Sequence, residues 1–576
     1  MKDFLTRRFT IPGLGYAERT VRSLSLTGKF IFGIFSIVFI VSAIVLLSKV
    51  NNSFLVEVPK HGGTLVEGVV GFPRFINPIL AVTDGDKDVA ALVYSGLMRQ
   101  LPNGNLIPDL ADKYTVSSDG KTYDFIIKSS AVFHDGVPLT ADDIIFTVAA
   151  IQNPANKSPR EALWNGVVAT KINDHEVSFT LQQPYAPFLE TTTLGILPKH
   201  LFTKTSEDMS SNGININPVG SGPYKLESIS HQANGVASSY TLIANNKFVL
   251  GAPYISTVSI HFYDSEQNLI SAYQNGDVDD VNGISPTIAE DLQQSSSTVV
   301  EAALPRIFGV FFNQNMNPAF ADTSVRQALA MSVDRRYIVS TVLRGFGTPL
   351  EGPVPARFVG TSTSDAAWMH AQVDIATNLL EKNGWTLGSD GIRVKKTKTG
   401  TTTLAFSIST SDAPELKAAA DILKDEWRRI GADVTIKVVE GGYLNQNIIR
   451  PRKYEALLFG QVVNRDLDLY SFWHSSQIND PGLNVALYSN PKADKLLEGM
   501  RIISDHTIRE KAYNDFDALI QKDMPAVFLY SPNFIYVMSP SVRNVSIAEV
   551  SVPSERFGSI YSWYMETDKI WKIFAH

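Results

Sequence analysis

The sequence predicts a mixed α/β protein with mixed sheets, held outside a membrane behind one transmembrane helix. Three observations carry this. An uncharged apolar run lies near the N-terminus, short β-type runs separated by turn signals begin at Gly62, and capped amphipathic helical stretches are interleaved with them. The 576 residues exceed what one core supports and suggest about three to four domain-sized units. Hydrophobic content of 44% with 19% charged residues is ordinary for a folded protein.

The apolar run comes first. Phe30 to Leu47 is uncharged over 18 positions and is bracketed by Lys29 and Lys49. At ~1.5 Å per residue such a helix covers roughly 27 Å, close to the hydrocarbon core of a bilayer. Ahead of it Lys2, Arg7, Arg8, Arg19, Arg22 and Lys29 stand against only Asp3 and Glu18. That excess places residues 1–29 in the cytoplasm and everything after residue 50 outside. The helix is expected over 30–48, with a polar tether over 49–61 that contains Pro59. A cleaved signal peptide is the competing reading, opposed by the long polar leader and the lack of a clear small-x-small site. An internal core helix would need a polar face, which this run lacks.

A net +4 on residues 1–29 leaves −11 on the remainder of a chain whose formal charge is −7. An acidic outer region argues against nucleic acid as partner. Cys is absent. Disulfides, thiolate metal sites, a Cys nucleophile and a lipidated Cys are thereby excluded, so any anchor must be protein.

Strands are expected at 63–68, at 122–127 after the turn Ser118-Asp119-Gly120, at 177–181 and at 240–243. Thr140-Ala141-Asp142-Asp143 opens a helix through Ile144, Ile145 and Val148, with acidic groups where a helix N-terminus favours them. Further helices are expected at 324–343, 374–383, 413–430 and 492–524.

Enzymatic chemistry finds little support. Ser118…Lys121 spans a Ser-Asp-Gly turn and Ser489…Lys492 contains Pro491, so neither is an activated nucleophile at a helix start. No Gly-x-Ser-x-Gly elbow or His-Glu-x-x-His occurs. The histidines are few and scattered, so no metal site, cofactor or catalytic residue is expected. Gly220-Ser221-Gly222-Pro223 lacks the Gly-Lys-Thr/Ser continuation of a nucleotide loop; backbone freedom where the chain crosses between lobes is the expected reason for it. His134 is expected to serve a turn or cap, and Arg326 a structural ion pair.

Several motifs in order carry a family resemblance. Val132-Phe133-His134-Asp135-Gly136-Val137-Pro138-Leu139-Thr140-Ala141-Asp142-Asp143 resembles an F-x-D-G-x-P-(L/V)-T-A-x-D signature. Asn217-Pro218-Val219-Gly220-Ser221-Gly222-Pro223-Tyr224 is similar to N-P-V-G-T-G-P-Y. Val325-Arg326-Gln327-Ala328-Leu329 with Asp334-Arg335, and Ile196-Leu197-Pro198-Lys199-His200, add to them. Together they resemble the family 5 extracellular solute-binding proteins, the peptide- and nickel-type receptors of ABC importers.

The resemblance implies an α/β, two-lobed periplasmic-binding-protein-like fold with an extra subdomain in the first lobe. The first lobe would take 62–101, 217–303 and 541–576, the inserted subdomain 102–216, and the ligand-binding second lobe 304–540. It implies capture of an oligopeptide or other small-molecule solute by lobe closure, ABC permease subunits as partners, and a monomer held to the cell membrane by the N-terminal helix. A metal chelate or oligosaccharide as ligand, or a tethered surface sensor, are the alternatives. Residues Asn464 to Ser475 resemble the family's D-x-D-P-x-x-F loop, where peptide receptors carry the carboxylate that meets the ligand's amino group. Leu469 replaces the usual Pro, and Asp466 and Asp468 both remain candidates for that role. Tyr470, Trp473 and His474 of the same loop, Asn484, and Asn313 at the start of the second lobe complete the expected site.

Overall fold

The computed structural model describes residues 20–202, 209–295, 297–355, 370–398, 400–463, 467–503 and 505–574. Contacts divide the chain into two units, one made of residues 1–60 with 566–576 and the other of His61–Met565.

In the first unit, Leu26–Phe54 is one continuous helix, opened by Ser25, whose hydroxyl accepts from the Gly28 amide at 3.2 Å. None of its residues is buried, and it is long and apolar enough to cross a membrane. It outruns the expected 30–48 span at both ends. The expected tether is structured: after Phe54 the chain becomes strand Leu55–Lys60, antiparallel to Glu566–Trp571. Its partner lies some 500 residues downstream, which no local pattern reveals, and Pro59 is tolerated because the strand is an edge. The last strand thus belongs with the helix, not with the first lobe as expected for 541–576.

The second unit is organised by the strand Ala526–Met538, whose 13 residues serve two sheets. Its first part pairs with Arg306–Phe312, from Phe311↔Ala526 to Phe308↔Tyr530. Beyond Pro532 it pairs with Thr298–Ala303 and Asp280–Asn282. On one side the sheet continues through Thr64–Val70, Thr257–Tyr263, Ala237–Ala244 and Tyr224–His231; on the other through Ala456–Val462, Ala405–Ser411 and Asp433–Val439. Both halves mix parallel and antiparallel pairs. These halves are two lobes, and the chain passes between them at Ala303–Arg306 and again at Ser531–Asn533. The crossings are pinned together by the Ser531 hydroxyl, which donates to Leu304 O at 2.7 Å.

A separate antiparallel sheet (Ala111–Val116, Thr122–Ile127, Glu176–Thr180, Val168–Asn173) and the helix Ala141–Gln152 stand on the first lobe and share its core. Alternation builds the second lobe. Phe312, Val527 and Leu529 face one apolar cluster with Trp385 and Trp427, while Phe311 and Phe528 face the opposite cluster with Trp473 and Phe516.

The expected helix 324–343 is two, Thr323–Met331 and Arg335–Val342, because Asp334 caps the second by accepting from the Tyr337 amide at 2.8 Å. Likewise 492–524 divides into Pro491–Ile502 and His506–Asp523, the latter capped by Asp505. Arg326 is structural, held among the described residues through carbonyls, with the charges of Asp523 and Asp322 favouring its cation. Its guanidinium donates to Phe320 O, Met524 O at 3.0 Å and Asp523 O at 2.6 Å.

The first lobe holds a buried polar cluster. Arg556, fully buried, donates to Glu67 and forks onto both oxygens of Asp88 at 2.9 and 2.7 Å. The Tyr536 hydroxyl lies 3.1 Å from Glu67 Oε2 and 2.8 Å from Asp280 Oδ2. Burial, then the charge of Glu67, pushes the Asp280 carboxyl up to about 7. One guanidinium among three carboxylates leaves the cluster two positive charges short, which favours a proton on Asp280.

Candidate functional site

Three of the family-like motifs meet in the first lobe, those around His134, Gly220 and His200. His134 Nδ1 accepts from the Gly220 amide at 3.3 Å, so Nε2 carries the proton and donates to Gly222 O at 3.1 Å. Burial pushes its imidazole down to about 4, which keeps the ring neutral in this tie. Asp135 takes His200 Nε2 at 2.7 Å, and the turn ahead of the helix uses Gly136 at φ +91°. His134 is thus a fold-building residue. The reason expected for the glycines is corrected. Neither Gly220 nor Gly222 has a positive φ, and the lobe crossings lie elsewhere. A Cβ at Gly220 would sit 2.1 Å from the Val93 carbonyl oxygen, and one at Gly222 2.6 Å from the Val93 carbonyl carbon. Close approach to the end of helix Asp84–Val93 is what excludes a side chain there.

A cavity of about 470 Å³ opens between the lobes. That volume suits a small organic ligand. Its first-lobe wall includes Met98, Trp164 and Tyr185 with the polar groups Arg160, Glu190 and Glu555; Val462 and Val463 come from the second lobe. The Val463 amide donates to Pro305 O at 3.0 Å, so this end of the cavity lies at a crossing. Tyr185 marks another end. Its hydroxyl reaches Asp468 Oδ2 of the second lobe at 3.4 Å, and the neighbouring Ala186 amide donates to Arg501 O at 2.9 Å. Arg501 Nε lies 3.2 Å from Asp468 Oδ2, and its guanidinium stands 5.2 Å from the Tyr185 ring and 4.6 Å from that of Tyr470. The lobes therefore touch here as well as at the crossings.

The cavity is amphipathic and carries charges of both signs. Among the described residues, Arg160 Nε and Ser551 Oγ are buried without a hydrogen-bond partner. Burial lowers the Arg160 guanidinium, against the pull of Glu555. Arg306 is the register partner of Val462, so the two side chains share a face, and its Nε is likewise buried without a partner among the described residues. Buried donors of this kind are costly unless something accepts from them.

The sequence-expected residues fall into different places. Asp468 sits at the lobe contact with its side chain 12% exposed, and Tyr470 beside it covers Arg501. His474 stacks on Tyr470 with ring centroids 4.2 Å apart and bonds Ser476 through Nδ1 at 2.8 Å. Trp473 is fully buried among Phe311, Tyr488, Phe516 and Phe528. Asn484 spends its amide inside the chain, donating to Trp473 O, His474 O and Tyr488 O and accepting from the Tyr488 amide. Asn313 braces a turn, donating to Arg452 O at 3.0 Å and accepting from the Asn315 amide at 3.1 Å. None of these residues lines the cavity. Asp466 lies outside the described residues. Arg160, Tyr185, Ser551 and Glu555, which line the cavity, were not among the expected residues. Nothing local marks them; only their meeting across long sequence distances does. Among the described residues no group of three or more His, Cys, Asp or Glu side chains is placed to hold a metal ion.

Two lobes joined by paired crossings, with a ligand-sized cavity between them, define a binding protein of the enclosing kind. The chain belongs to the bacterial extracellular solute-binding proteins, family 5, whose model matches residues 105–493. It is 29% identical over 486 residues to the oligopeptide-binding protein AppA of Bacillus subtilis (strain 168), across 82% of this chain and 87% of that one. The structure of AppA in complex with a nonapeptide has a TM-score of 0.67 at 28% identity, covering 88% of this chain and 100% of that one. NikZ from Campylobacter jejuni in complex with Ni(L-His) has a TM-score of 0.69 at 26% identity, covering 87% of this chain and 99% of that one. The fold is thus that of a peptide- or nickel-type ABC substrate-binding protein, and these relatives are solute binders rather than enzymes.

Proposed function

We propose that the chain is a membrane-anchored extracellular receptor that captures a peptide or similar small solute by closing its lobes, and hands it unaltered to the permease of an ABC importer. The observation that carries this is the cavity of about 470 Å³ between the lobes, with apolar walls and buried groups of both charges. A zwitterionic, partly apolar solute matches that lining: Arg160 would receive a carboxylate and Glu190 a cationic group, with Arg306 beside Val462 and Asp468 beside Tyr185 as further charges next to the lining. An extended peptide also brings backbone donors and acceptors that need pairing once they leave water. Asp468 is the proposed anchor for the amino group because it lies where the lobes meet and holds Arg501 until a ligand cation displaces it. The exposed helix Leu26–Phe54 supports the anchor, since an apolar surface of that length has no stable place in water.

In this reading the inserted subdomain (102–216) and second lobe (304–540) close by rotation about the two crossings. Ligand favours the closed form only through contacts made better there. Mass spectrometry of solute retained after native purification, followed by calorimetry with that solute, tests the reading. Recovery of a peptide or amino-acid-like solute supports it; a bound solute found chemically cut, or no saturable binding of peptides, amino acids or their metal chelates, rejects it. Metal analysis of the same sample separates a free solute from a chelate.

A further inference from the structure

We propose that the segment Trp571 to Phe574 is a foot that rests in the outer headgroup layer of the bilayer. This rests on the anchor reading of helix Leu26–Phe54. The direction of the chain comes from strand pairing. Leu55–Lys60 leaves the helix with Leu55 nearest to it, and the register Leu55↔Trp571 to Lys60↔Glu566 runs the last strand back toward the helix end. The short turn Lys572–Phe574 continues in that direction. Contact is direct: Trp571 Nε1 donates to Asn51 Oδ1 at 3.0 Å.

Depth follows from the helix. Asn51 is four residues past Leu47, the last residue of the uncharged run, so it lies ~6 Å beyond the hydrocarbon edge. The headgroup layer is roughly 5–7 Å thick on each side. Trp571 is therefore held at the level where indole rings are enriched, with the apolar ring toward the chains and the N–H wet. The surface chemistry agrees. Trp571 is 49% exposed, Ile573 70% and Phe574 66%, beside Phe54 at 59%. Lys572 is exposed among them, a cation suited to lipid phosphate. None of the described residues covers these three large apolar side chains, and lipid interface covers all of them at once.

The chain has no Cys, so single labels can be placed in the full-length protein. Phe574→Cys, Ile40→Cys and Asn234→Cys would each carry an environment-sensitive fluorophore, reconstituted in phosphatidylcholine–phosphatidylglycerol vesicles. Nitroxide lipids labelled at the headgroup or deep in the acyl chain serve as quenchers. The expected result is blue-shifted emission from position 574 with stronger quenching by the headgroup nitroxide, the reverse depth order at 40, and water-like emission at 234. Emission at 574 as water-like as at 234, with 40 still in lipid, overturns the foot and spares the anchor. A shift at 574 seen only in native membranes points to a protein partner instead and also overturns it. If position 40 itself is water-exposed, the anchor fails and the foot falls with it.

Discussion

Asp280 makes the buried cluster a pH-sensitive part of the fold. Its carboxyl is raised from 3.8 to about 7, chiefly by burial, so the folded protein holds this proton more tightly than the unfolded chain. The stability it contributes is full below the unfolded value, declines as pH rises, and is lost above about 7. The slope in that window is at most about 1.4 kcal/mol per pH unit. Asp280→Asn keeps an oxygen for the Ser539 amide and a donor for Tyr536, so it is expected to fold and to show a flatter dependence of Tm on pH between 5 and 8. An unchanged slope would show that the proton resides elsewhere. Trp473 and Asp468 lie five residues apart and are expected to behave oppositely. Trp473→Ala empties the centre of an aromatic cluster and is expected to cost ~3–5 kcal/mol in denaturant unfolding. Asp468→Asn is expected to leave the unfolding midpoint nearly unchanged and to weaken ligand binding about tenfold or more by calorimetry.

At the scale of elements, legibility followed locality. The strand at 122–127 and the helix opening at Thr140 were readable because alternation and the capping box are written in neighbouring residues. The break at Asp334 was readable in principle, since a cap residue stood inside the run, yet apolar periodicity on both sides masked it. Leu55–Lys60 was not, because what makes it a strand is Glu566–Trp571. The candidate site suffered most from this. An aromatic-rich loop such as 470–473 reads alike whether its rings meet a ligand or each other, and Trp473 met its own lobe. Pairing at the chain's two ends can be tested directly. Ile570→Pro removes a ladder donor opposite Val56. Hydrogen exchange is expected to quicken at 55–60 and 566–571 while the Tm of His61–Met565 moves little.

At the scale of the whole molecule, the proposed closure would turn about the crossings at Ala303–Arg306 and Ser531–Asn533. A ligand that binds only the folded protein stabilises it by mass action, about 2.7 kcal/mol at one hundred times Kd. A chain starting at Leu55 is expected to stay soluble and to show the same ligand-induced rise in Tm as the full-length protein; loss of that rise in a folded truncate would make the helix part of the binding machinery. The register pair Lys60↔Glu566 has a further consequence. Direct partners in an antiparallel ladder have Cα atoms only about 5 Å apart, so the chain enters and leaves the segment His61–Met565 through neighbouring residues. His61–Met565 is therefore a transplantable cassette, able to be spliced into a hairpin loop of an unrelated host without stretching either protein.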